Sequence, residues 1–72
     1  MSDIDRETRA LRVIAVSGRA ALAKSHEPEE RERVRERVHE LLADLEEEVI
    51  RNGANEAILA AIERERRQVW ED

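Results

Sequence analysis

The chain contains no cysteine, phenylalanine or tyrosine, and only one tryptophan, one proline and two glycines. Without cysteine there are no disulfides and no thiolate metal ligands, and two histidines alone do not make a structural zinc site. With Trp70 as the only aromatic residue, the core has to be built from Leu, Ile, Val and Ala. Long apolar runs are missing too. None approaches the ~20 residues that span a bilayer, and Met1-Ser2-Asp3-Ile4-Asp5 has no basic stretch ahead of an apolar one, so neither signal peptide nor anchor is expected. Nor is there an excess of positive charge. The formal net charge of −5 argues against binding nucleic acid or anionic membranes. The expectation is a soluble, cytoplasmic protein with no nucleic-acid partner, no membrane contact and no cofactor.

What is present is charge of both signs, interleaved, with an aliphatic pattern of helical period. The 72 residues read as a single domain, 1–72. A core in so short a chain supplies only about 3–5 kcal/mol without a staple or a partner. Ser2 is placed to cap a first helix, with Asp5 three residues on and the acids Asp3, Asp5 and Glu7 complementing its dipole. The spacing predicts helix 1 over about 3–24. Pro28, suited to a first turn and followed by Glu29 and Glu30, ends the break at Ser25-His26-Glu27 and opens helix 2, about 28–51. Asn52-Gly53 supplies a left-handed stop, Ala54 is placed for the apolar contact of a Schellman motif, and Asn55 caps helix 3, about 56–70. Connections this short force neighbouring helices antiparallel, so an all-α, up-down-up three-helix bundle is expected.

At about 100° per residue, helix 2 gathers Val34, Val38, Leu41, Leu42, Leu45 and Val49 into one stripe, opposite Glu36, Arg37, Glu40 and Asp44. Helix 3 turns Ala54, Ile58, Ala61, Ile62 and Val69 inward, with Leu59 and Trp70 on a second side. Helix 1 has two seams. Ile4, Thr8, Leu11, Ala15, Gly18 and Leu22, widened by Ile14 and Ala21, should meet the hairpin of helices 2 and 3. Val13, Val16, Ala20 and Ala23 form a nearly opposite seam that the hairpin cannot also cover. Helix 3, about 22 Å long against well over 30 Å for its neighbours, should stop short of the turn between helices 1 and 2. That leaves Gly18-Arg19-Ala20-Ala21-Leu22-Ala23 thinly covered, and Gly18, costly in a helix interior, implies a close backbone approach. Helix 1 is therefore expected to be buried on two faces by self-association, the interface comprising Val13, Val16, Gly18, Ala20, Leu22 and Ala23.

No constellation of catalytic type stands out. Glu36-Arg37-Val38-His39 has the Glu-x-x-His spacing of di-iron bundles, but Glu36 lies opposite the apolar stripe and His39 at its margin. His26 sits in a break with no Ser or second acid placed to make it a base. The arginines of Arg31-Glu32-Arg33-Val34-Arg35-Glu36-Arg37 have their field cancelled by the interleaved acids. Arg9, Arg12 and Arg19 rise along one flank of helix 1, where they could gather an anion or lay their stems over apolar edges.

Two resemblances follow. Arg19-Ala20-Ala21-Leu22-Ala23 with Glu27-Pro28-Glu29-Glu30-Arg31-Glu32-Arg33-Val34 resembles the all-helical chorismate mutases, intertwined dimers, and on that likeness Arg19 would hold a carboxylate. Over its whole length the chain resembles computationally designed, de novo helical homo-oligomers: capped helices, Pro- and Asn-Gly-marked turns, a Glu/Arg surface and an aliphatic core. That likeness is one of style and transfers no functional residue; if designed, the protein would reside in the cytoplasm of its expression host. Twelve arginines to one lysine is, by contrast, the usage of a natural GC-rich source. The reading is a structural, self-assembling, symmetric homo-oligomer without enzymatic activity. Its alternatives are an adaptor that docks a partner helix and, more remotely, a chorismate-mutase-like enzyme.

Overall fold

Each helix begins and ends on local chemistry. In the computed structural model, which describes residues 3–71 (side chains 4–69), α1 runs Asp3–Lys24, α2 Pro28–Arg51 and α3 Glu56–Glu71. Ser2, assigned the first cap, and the side chain of Trp70 lie outside the described residues. Pro28 occupies the first turn of α2, after Glu27 in extended conformation. At its other end the Gly53 amide donates to the Ile50 carbonyl at 3.3 Å and the Ala54 amide to that of Val49 at 2.8 Å, the paired bonds of a Schellman motif. Asn55 Oδ1 then accepts from the Ile58 amide at 3.2 Å, capping α3. Ala54 departs from the expected apolar contact. It is exposed, and it takes a left-handed backbone with φ +54°, immediately after Gly53 at φ +124°.

The three helices pack as a bundle about 39 Å long in which every pair is in contact. Arg6 meets Glu48 and Arg19 meets Glu65 and Gln68, so α1 runs against α2 and alongside α3. The core is the aliphatic stripe of α2 locked onto α3: Val38, Leu42, Leu45 and Val49 against Ile58, Ile62 and Val69. Leu42 and Ile62 are fully buried. Ala10, Leu11 and Ile14 of α1 close it from the third side.

From Leu11 to Leu22 the inward stripe of α1 is the one expected, with Ile14, Ala15 and Ala21 half-buried beside it, but its first turns differ. Ile4 is 50% exposed and Thr8 is exposed, while Glu7 is only 3% exposed. The inward line runs Glu7, Leu11, Ile14, Gly18 and Leu22, because the Glu7 carboxylate finds a partner at the far turn: Asn52 Nδ2 donates to Glu7 Oε1 at 3.0 Å. A polar group so paired can occupy a buried position that a charge alone could not. No described helix is long and apolar enough to cross a membrane.

Cover of the α1–α2 turn comes from inside the chain more than the helix lengths imply. Gln68 and Val69 bring α3 up to Arg19 and Arg35, whose Nε donates to the Val69 carbonyl at 3.0 Å. Arg31 folds back, half-buried, and gives Nη1 to the carbonyls of Leu22 at 2.8 Å and Ser25 at 3.1 Å. Ser25 Oγ donates to the Ala21 carbonyl at 2.8 Å. These bonds satisfy carbonyls that the end of α1 leaves open, and the guanidinium complements the negative end of its dipole.

Candidate functional site

Of the six residues assigned to an interface, the chain itself buries two. Gly18 lies against Val38: a Cβ at position 18 would stand 2.8 Å from Val38 Cγ2, so the close approach that the glycine implied is made to α2 of the same molecule. Leu22 is buried as well. The other four face outward. Val13 and Val16 are each 58% exposed, and Ala20 and Ala23 are exposed. Large exposed valines on two successive turns of one helix are surface that the fold leaves uncovered.

Beside this seam an apolar groove of about 320 Å³ opens between α1 and α2. Its floor is Ile14, Gly18 and Ala21 from one helix and Val34, Val38 and Leu41 from the other, with Ser17, Arg33 and Arg37 exposed at its edge. Val34 and Leu41 belong to the inward stripe of α2, yet both remain only half-buried, because α3 covers the opposite flank of α2. The groove exists because small residues at 18 and 21 draw α1 down at that level without filling the space between the helices. Val13 and Ala20 lie four residues before and three after Ser17, on the groove side of α1.

The other flank of α1 is mixed, apolar side chains alternating with arginines. Thr8, Leu11, Arg12, Ala15, Val16, Arg19 and Glu65 line a shallower depression of about 250 Å³ between α1 and α3. Arg19 Nη2 donates to Glu65 Oε1 at 3.2 Å and Oε2 at 3.3 Å, and to Gln68 Oε1 at 2.8 Å. The carboxylate that the chorismate-mutase likeness gave to Arg19 is therefore met by the chain's own Glu65. Arg9 stands apart from Arg19, beside Asp5, Thr8 and Arg12 on the outer surface.

Glu36 and His39 are both exposed, as is His26 in the break. Among the described residues no three His, Cys, Asp or Glu side chains converge as a metal site would require. Sequence reasoning missed the buried Glu7 and the partly buried Arg66. Arg66 pairs with Glu63 and, at 3.2 Å, with Glu46, and its Nε is buried without a hydrogen-bond partner among the described residues. The signal for Glu7 was its place on the 7, 11, 14, 18 line; Arg66 carried none. Comparisons with known protein families, curated proteins and solved structures found no match.

Proposed function

We propose that the chain is a structural self-assembly module, a symmetric homo-oligomer in which the outward face of α1 and the groove beside it pack against another copy. The observation that carries this reading is Val13, 58% exposed, on the helix that also walls an open apolar groove. Fully burying a valine contributes about 1.5–3 kcal/mol, a large addition to a domain whose own core supplies about 3–5 kcal/mol. The likeness to designed helical oligomers points the same way. Two features stand apart from idealised designs, the left-handed Ala54 and the buried Glu7. Assembly does not depend on which origin holds.

Light scattering of the untagged chain across a dilution series tests the proposal. A mass that is a fixed multiple of 8.4 kDa supports it. Ala20→Glu, which puts a charge on the exposed seam without touching the core, should return the mass to that of one chain while far-UV circular dichroism stays helical. A well-folded monomer at every concentration would sink assembly and favour the alternative, an adaptor whose groove receives the helix of a different protein.

A further inference from the structure

The mouth of the groove is bordered by two stripes, each stepping by four and three residues. On α1 the stripe is Arg6, Ala10, Val13, Ser17, Ala20 and Lys24; on α2 it is Glu48, Asp44, Leu41, Arg37, Val34 and Glu30. The structure anchors their register twice. Arg6 Nη2 donates to Glu48 Oε1 at 2.8 Å at one end, and farther along Gly18 lies against Val38, which sets their neighbours Ser17 and Arg37 near one level at the edge of the groove. Because α1 and α2 are antiparallel, the remaining levels follow: Val13 beside Leu41, Ala20 beside Val34, Lys24 beside Glu30. At each end of this face α1 presents a cation and α2 an anion; between them lie two apolar levels, Val13 with Leu41 and Ala20 with Val34, separated by Ser17 and the exposed Arg37, with the exposed Asp44 beside Ala10.

This pattern discriminates between the ways two copies can meet. A two-fold axis across the helices lays α1 on α1 and α2 on α2, antiparallel, with Arg6 over the partner's Lys24 and Glu30 over the partner's Glu48. Both ends then repel. Sliding that arrangement until it centres on Leu41 removes the repulsion but sets Val34 against the partner's Glu48 and Ala20 against the partner's Arg6, so one of the two apolar levels meets charge. A two-fold axis along the helices instead lays α1 on the partner's α2 at equal height. Arg6 then meets the partner's Glu48, Lys24 the partner's Glu30, Val13 the partner's Leu41 and Ala20 the partner's Val34, while Arg37 meets the partner's Ser17 and Asp44 the partner's Ala10, so both apolar levels are matched and no like charges face each other.

Resting on the assembly reading, we infer that the oligomer contains a dimer of this second kind, α1 of each copy lying along α2 of the other to close a four-helix core over both grooves. Such an interface is isologous, each pair occurring twice. The face is about 27 Å long by the helical rise and two helices, about 20 Å, wide. Corrugated by side chains, it approaches the ~800 Å² per partner of a standard stable interface. Val13 and Ala20 lie inside the contact. Val16, which borders the depression toward α3, lies outside it.

Single cysteines test the geometry, since the chain has none of its own. Val13→Cys and Leu41→Cys chains are refolded together and oxidised, and each is also oxidised alone. The inference expects a covalent dimer from the mixture only; Ala20→Cys with Val34→Cys, which leaves Leu41 intact, should behave the same way. A covalent dimer from Val13→Cys alone would place two α1 helices in contact and overturn the axis. So would Val16→Glu, expected to leave the mass unchanged, if it splits the oligomer. An oligomeric mass with no cross-link in either mixture overturns this geometry while leaving assembly standing, whereas a monomeric parent chain removes both.

Discussion

Val38 Cγ2 stands 2.8 Å from where a Cβ on Gly18 would lie, so these two residues have the shape of one joint between α1 and α2. The β-branched valine holds a stiff rotamer in a helix and cannot swing its methyl aside cheaply. Gly18→Ala should therefore destabilise the protein by about 1–2 kcal/mol, the overpacking outweighing the roughly 1 kcal/mol that alanine contributes to an isolated helix. In a Val38→Ala background the same change should become stabilising, by about 0.5–1 kcal/mol, because only the propensity gain remains. Chemical denaturation of the four chains at one protein concentration reads this reversal. Equal effects of Gly18→Ala in both backgrounds would show that the valine is not what the glycine accommodates.

Ala54 completes the Schellman turn in a left-handed conformation at φ +54°, a position that costs an L-residue with a Cβ about 1–2 kcal/mol. Ala54→Gly should raise stability by about 1 kcal/mol, or about 4–8 °C in a domain of this size. Its neighbour predicts the opposite sign. Gly53 has open space around it, but at φ +124° Gly53→Ala should lower the melting temperature on backbone strain alone. Thermal melts of both variants decide it, and a lower midpoint for Ala54→Gly would refute the argument.

The bundle was legible because its punctuation is local. Pro28, Asn52-Gly53 and Asn55 act within a turn of where they stand, and the apolar stripe of α2 follows from spacing alone. Spacing also ranked the two seams of α1, Leu11, Gly18 and Leu22 turning inward and Val13 and Val16 outward; what it missed was the first turn of the inward seam, which depends on a contact between residues 45 positions apart, Glu7 and Asn52. Reading Glu7 only as an acid that complements the helix dipole left Ile4 and Thr8 as the first inward positions. Gly18 was recognised as a close approach, but its partner could equally have been another chain until α2 was in place. Long arginines are the least legible of all. Arg31 and Arg35 belong by sequence to an exposed, charge-alternating stretch, and each reaches back to a main-chain carbonyl of another segment.

Arg31 should consequently matter more than its neighbours. Its two bonds to the Leu22 and Ser25 carbonyls are charge-assisted and partly buried, so Arg31→Ala should cost about 1–2 kcal/mol. Arg33→Ala, two residues on and exposed, should stay within about 0.5 kcal/mol when measured on the dissociated Ala20→Glu chain, where no partner can contribute. Urea midpoints with unchanged slope measure both. Similar losses at 31 and 33 would mean that the turn is held by general charge and not by this cap.

Glu7 offers the sharpest test of what a buried acid contributes here. The residue is 3% exposed and its carboxylate is held by one amide of the exposed Asn52, while the residues above it on the same line, Leu11, Ile14, Gly18 and Leu22, are apolar or glycine. Desolvating a charge is costly, and a hydrophobic residue of similar volume in its place is often neutral or stabilising. Asn52, once released, can turn its amide to water. Glu7→Leu should therefore stabilise the fold by about 1 kcal/mol, whereas Glu7→Ala, which loses the bond and leaves the space empty, should destabilise it by about 1–2 kcal/mol. Glu7→Gln, which keeps an acceptor for Asn52, should lie between them. If Glu7→Leu proves as damaging as Glu7→Ala, the bond to Asn52 ties the start of α1 to the α2–α3 turn and outweighs the burial of the charge.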